Sequence, residues 1–267
     1  MRIASKLHTG APSDRAARAP AIRMAGDFGQ RSSSGRPHPR GAPPSVPKMR
    51  ARRAIAIAGL FAASVLCVAL LEVRIRETGD GFYRFLVWNL FLAWVPLVLA
   101  GAAYARSRRG VDPLTAALLV TWLVFFPNAP YLLTDFIHLT QGPAPLWYDA
   151  LMLSAFAWTG LLLGFSSLYL VQLILRRAFG AAVSWLGVFC SLALASIGVY
   201  IGRFVRLNSW DVLLHPRNVV DVVHARLVAE PPEMAQALVA LTAFLSVGYL
   251  VVYSFVNLGL ELEEDRH

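Results

Sequence analysis

Asp135 and His138 stand three residues apart, so on a helix a carboxylate and an imidazole share one face. Such a pair can hold a metal, move a proton or form a plain hydrogen bond. A catalytic zinc takes three protein ligands, and Asp149 or His215 supplies the right type of third donor. Asp221 and His224 repeat the same spacing further along. The sequence has no His-Glu-x-x-His pattern and no close cysteine pair, so no metal or cofactor is assigned. The ordinary expectation for these Asp/His pairs is interfacial side chains satisfied by their neighbours. Asp135, His138 and Asp149 are the catalytic candidates.

Arg203 and Arg206 also share a helical face. They can snorkel to lipid phosphate, pair with Asp135, Asp149 or Asp211, or hold a phosphorylated ligand. Asn208 to Asp211 has the pattern of a helix start, with Asn208 as cap and Asp211 near the positive helix end. Asn89 lies inside an apolar run beside Trp88, so its amide needs a partner in hydrocarbon, for which Asn128 and Asp135 are the candidates. The substrate-binding candidates are Asn89, Asn128, Tyr131, Arg203, Arg206, Asn208, Trp210 and Asp211.

What must position these residues is set by composition. The 267-residue chain is 57% hydrophobic and only 15% charged, with a mean hydropathy of +0.54. Soluble domains carry about a quarter charged residues. Five apolar runs (54–71, 85–105, 150–175, 181–202 and 235–260) contain no ionised side chain. Each is long enough to cross roughly 30 Å of hydrocarbon as a helix. A sixth run, 114–126, is short, and it ends at Pro127 and Pro130, which break helical hydrogen bonding. The fold expected is all-α: a polytopic helical membrane bundle of about six spans over residues 54–260.

Residues 1–53 hold twelve Lys/Arg and two acids, so the net charge of +9 comes from this segment. Its Arg, Pro and Ser content and its lack of apolar periodicity predict a disordered tail that fixes orientation and touches anionic lipid. No aromatic residues interleave with the basic ones there in a nucleic-acid-binding pattern, so no specific nucleic acid is expected. No apolar core of a signal peptide precedes Ala54, and starts at Met24 or Met49 would keep the basic flank. With six spans and both termini cytoplasmic, 18 Lys/Arg fall inside and 7 outside, the favoured sense. Residues 261–267 form an acidic cytoplasmic end. Cys67 and Cys190 each sit mid-run and read as small apolar residues. Gly160/Gly164 and Gly198/Gly202 are small-xxx-small pairs, suited to internal packing or to self-association.

Several separated motifs point to one family: Trp88-Asn89-Leu90-Phe91-Leu92-Ala93-Trp94-Val95-Pro96; Phe126 to Tyr131 with Thr134-Asp135 and His138; Trp147-Tyr148-Asp149; and Gly202 to Asp211. Over roughly Phe82 to Leu260 the chain resembles DUF1361, a family of bacterial integral membrane proteins of unknown function. The resemblance implies a multi-pass bacterial inner-membrane location and no reaction. Three functions are weighed. The first is a non-enzymatic or transport-like component using the broken third span, since carriers place substrate at helix interruptions. The second is an enzyme acting on envelope lipid at the outer face through Asp135, His138, Asp149 and the arginines. The third is tethering of nucleic acid by the tail. With no catalytic motif in sight, the first is preferred.

Overall fold

The computed structural model describes residues 46–205, 217, 221, 224–225 and 231–264. Residues 1–45, most of the expected tail, lie outside them, as do 265–267. Every regular element among the described residues is helical. Six segments are long and apolar enough to span a membrane: Arg53–Thr78, Phe82–Arg106, Pro113–His138, Leu146–Phe179, Ala181–Arg203 and Met234–Gly259. The protein is a multi-pass helical membrane protein. Side chains such as Phe61, Phe91, Trp158 and Phe255 stand more than half exposed on these helices, as lipid-facing residues do.

The first helix, α1 (Val46–Thr78), begins ahead of its apolar run and continues beyond it. Lys and Arg are good helix formers, so charge does not stop the helix where hydropathy drops. It ends at Gly79, whose φ of 70° no branched residue tolerates well. A short turn, Phe82–Arg84, leads into α2 (Phe85–Arg106). Helix α5 (Leu146–Phe179) is the centre of the bundle: 61% of its apolar window is buried, against 11% for the first and last spans. It packs on α1, on α2, on α6 (Ala181–Tyr200) and on the broken third span. The last helix, α7 (Pro231–Glu264), lies mainly against α6.

The third span begins as α3 (Pro113–Phe125) with Pro113 in the first turn. Asp112 caps it, accepting from the Thr115 N–H at 2.9 Å, and also pairs with Arg106. Arg106 and the Thr115 donors hold the Asp112 carboxyl well below the usual carboxylate range. A carboxyl depressed in the folded state stabilises that state above its unfolded pKa of about 4 and loses the effect as pH falls below it. Asp112→Ala should therefore lower the melting temperature in detergent at pH 7, and the gap to wild type should narrow as the pH falls from about 5 to about 3. An unchanged gap would show that the carboxylate charge is not what matters.

Pro127 and Pro130 remove two amide donors, and the chain continues as one helical turn, α4 (Asn128–Tyr131), and a 3-10 stretch, Leu132–His138. The Phe126 carbonyl, which Pro130 cannot serve, accepts from the Ala129 N–H at 3.2 Å. The Asn128 side chain donates to the Phe125 carbonyl at 2.9 Å. Repaired in this way, the segment runs from Pro113 to His138 as one span, twice the length of its apolar run.

The repaired segment lies on glycines. A Cβ built on Gly160 would come within 2.5 Å of the Ala129 carbonyl oxygen, and one on Gly198 within 2.5 Å of Pro127 Cγ. At Gly164 the nearest atom is Ala129 Cβ, at 3.0 Å. These faces are thus occupied within the chain. Because the neighbour at Gly160 is backbone, Gly160→Ala should cost about 1–3 kcal/mol as overpacking, read by denaturant titration in micelles. A variant as stable as wild type would mean that the segment shifts freely.

Candidate functional site

Asp135 projects from the 3-10 stretch into the bundle and is fully buried. Its Oδ1 pairs with the Arg203 guanidinium from the end of α6, and its Oδ2 accepts from the Asn89 amide of α2 at 3.3 Å. Arg203 donates twice to Thr134 Oγ1, through Nε at 3.0 Å and Nη2 at 2.7 Å, and lies 4.3 Å above the Tyr131 ring. Its Nη1 is 3.3 Å from His138 Nε2. A guanidinium N–H only donates, so His138 accepts through Nε2 and carries its proton on Nδ1. That Nδ1 is buried and finds no partner among the described residues. The His138 ring is held between the edges of Phe82 and Phe85.

The third span is broken there by its prolines, and α6 passes after Tyr200 into a π-type turn over Ile201–Val205 that carries Arg203. Such turns often mark functional positions because they re-aim a side chain out of helical register. Beside the centre, α6 and α7 enclose a half-open groove of about 340 Å³, within the size range of ligand sites. Thr134, Ser196, Tyr200 and Arg203 line it among apolar residues such as Leu241 and Phe244. Among the described residues Arg203 is its one charged lining residue.

A second buried ion pair occupies the same end of the bundle. Arg74, at the end of α1, donates from Nε to Asp149 Oδ1 at 2.6 Å and from Nη2 to Oδ2 at 3.4 Å. Its Nη1 reaches Asp80 Oδ2 at 3.1 Å. The guanidinium stacks 4.5 Å from the Tyr83 ring, and the Tyr83 hydroxyl donates to the His138 carbonyl. Tyr83 thus joins the two clusters. A Cβ on Gly142 would meet Arg74 Nη2 at 2.3 Å, so a side chain there would push against the guanidinium that the loop before α5 covers.

The structure therefore brings Asp135, His138, Arg203 and Asn89 together with Tyr131, while Asn128 donates to the Phe125 carbonyl within the broken span. It places Asp149 elsewhere, on Arg74. The three-ligand set of Asp135, His138 and Asp149 is not assembled, and among the described residues no three His, Cys, Asp or Glu side chains are placed to share a metal ion. The reason is charge: a buried cation takes the nearest carboxylate, and for Asp149 that cation is Arg74. Asp221 and His224 are exposed. Arg206, Asn208, Trp210, Asp211 and His215 lie outside the described residues.

The family model for DUF1361, described as a protein of unknown function, matches residues 88–250, well over half of the chain. The chain belongs to the DUF1361 family. No curated protein and no solved structure matches it. The DUF1361 match takes in Asn89, Asp135, His138, Asp149 and Arg203, whereas Arg74, Asp80 and Tyr83 precede it. Arg74, which follows the fall in hydropathy after Leu71 and on the Lys/Arg distribution belongs to an outer loop, is buried instead. A signal was present: Leu60, Ser64, Cys67, Leu71 and Arg74, spaced four and three apart, are all buried. A charge that continues the buried stripe of a helix is placed inward by the same periodicity.

Proposed function

We propose that this DUF1361 protein is a non-enzymatic, transport-like component of the bacterial inner membrane, with both termini cytoplasmic. The groove between α6 and α7 takes a lipid-like amphiphile with its acceptor head at Arg203. The observation that carries this reading is the coincidence of the proline-broken third span, the π-type turn after α6, a buried Asp135–Arg203 pair and an apolar groove at one point of the fold. Carriers place substrate where helices are broken, because freed backbone and polar side chains are tolerated there only when they line a cavity. Arg203 has five N–H groups, of which four are engaged by Thr134, Asp135 and His138. The fifth, on Nη1, has no acceptor among the described residues and is available to one in the groove. Asp135 balances the charge, so the pocket remains neutral when no ligand is present. The orientation rests on the distribution of Lys and Arg, which puts Arg203 at the outer face.

The test uses the full chain in zwitterionic nanodiscs and dodecyl phosphate as the probe. Binding should be saturable, absent for inorganic phosphate, and weakened about tenfold by Ala240→Phe, which fills the groove without touching the ion pair. Binding unaffected by Ala240→Phe would refute the site. Turnover of the probe, lost in Asp135→Asn, would replace this reading with the enzymatic one.

A further inference from the structure

At the opposite end of the bundle from Arg203, two arginines converge on one aromatic ring with no carboxylate among the described residues to balance them. Tyr104, near the end of α2, is 7% exposed. Arg177, near the end of α5, stacks 4.8 Å from its ring centroid and donates from Nη2 to its hydroxyl at 2.8 Å. Arg53 of α1 lies 5.6 Å from the same centroid. Three helices thus deliver two guanidiniums around one buried phenol. Two like charges gathered in this way repel each other, and the ring quadrupole offsets only part of that. A neighbouring arginine shows the usual remedy, since Arg106 is paired with Asp112. Among the described residues neither Arg53 nor Arg177 has an acidic partner.

From this arrangement we infer that Arg53, Arg177 and Tyr104 form a binding site for the phosphate of an anionic glycerophospholipid. The depth fixes the source of the phosphate. Arg53 begins its span, and Tyr104 and Arg177 fall within the last three residues of theirs, so all three sit where the hydrocarbon gives way to headgroups. Directly below, over the buried Ala103 and Ile174, the partly exposed Leu118, Leu119, Leu170 and Leu173 offer apolar surface to acyl chains. Guanidinium donors suit phosphate oxygens, and the stacked ring holds the forks in place before the lipid arrives. Under the proposed orientation this is the cytoplasmic leaflet, whose lipids carry the negative charge. The inference does not depend on the groove at Arg203.

The experiment is native mass spectrometry and thermal stability of the full chain in a mild non-ionic detergent. The additives are dioleoyl phosphatidylglycerol, dioleoyl phosphatidylcholine or inorganic phosphate. Wild type should retain and be stabilised by the phosphatidylglycerol alone. Arg53→Gln with Arg177→Gln should lower that retention about tenfold. Arg108→Gln with Arg176→Gln removes the same charge from positions at the same end that are as exposed as Arg53 and Arg177 but do not hold the Tyr104 ring, and should leave it within twofold. Equal retention of the phosphatidylcholine, equal stabilisation by inorganic phosphate, or an equal loss in both double variants would each overturn the inference. Wild type alone decides the first two points, so they hold even if a variant fails to fold.

Discussion

Asp149→Ala should destabilise the folded protein by about 3–5 kcal/mol, because it leaves Arg74 buried with its principal counter-charge gone. The Arg74 side chain is 0% exposed and that of Asp149 2%, so no water stands in for the lost carboxylate. Asp80 does not substitute, being 31% exposed and bound through a different nitrogen. Arg74→Met alone should cost a similar amount by orphaning Asp149. The double variant Arg74→Met with Asp149→Leu should recover much of the loss, since an apolar pair of similar volume removes both charges together. Denaturant titration of wild type, Arg74→Met, Asp149→Leu and the double variant in mixed micelles closes the cycle. Single variants within about 1 kcal/mol of wild type would show that the pair is solvated in the folded protein.

Breaking the second pair should have a comparable effect with a different pattern. Arg203→Ala leaves Asp135 in the interior with only the Asn89 amide, and a loss of about 3–5 kcal/mol is expected. Asp135→Asn should cost less, because Arg203 keeps Thr134, His138 and the Tyr131 ring. Asn89→Ala should cost about 1 kcal/mol, as its contact is a single long hydrogen bond. The order Arg203→Ala, Asp135→Asn, Asn89→Ala is thus the expected ranking, measured by the same titrations. If Asn89→Ala proved the most damaging, the amide rather than the ion pair would be holding the third span to α2. The ranking also bears on function: a centre that exists only for stability should tolerate an apolar replacement of both Asp135 and Arg203 without loss of probe binding.

These two pairs differ in how visible they are in the residues themselves. The Asp135–Arg203 contact and the Asn89 amide were both among the pairings that the sequence admitted, because a polar group flanked by oily runs has few partners available. Arg74 was not, because a drop in hydropathy after Leu71 reads as the end of the span, whereas the helix continues to Thr78 and carries the arginine inward. The assignment of Asp149 was open for the same reason: three acids and two cations permit several pairings, and spacing along the chain does not rank them. Gly160 and Gly198 were equally ambiguous, since a small-xxx-small face suits a neighbouring segment of the same chain as well as a second copy.

Long uncharged apolar runs determine on their own that this is a helical, multi-pass protein, because peptide groups in hydrocarbon must bond within their own segment. The family likewise follows from local motifs. Which carboxylate meets which guanidinium is a matter of tertiary structure. In a low dielectric each buried charge takes the partner that packing puts nearest, and that packing is set by where the third span bends at Pro127 and comes to rest on Gly160, Gly164 and Gly198. The place where a broken span settles is not written in residue types. It is the outcome of the surfaces that close around it.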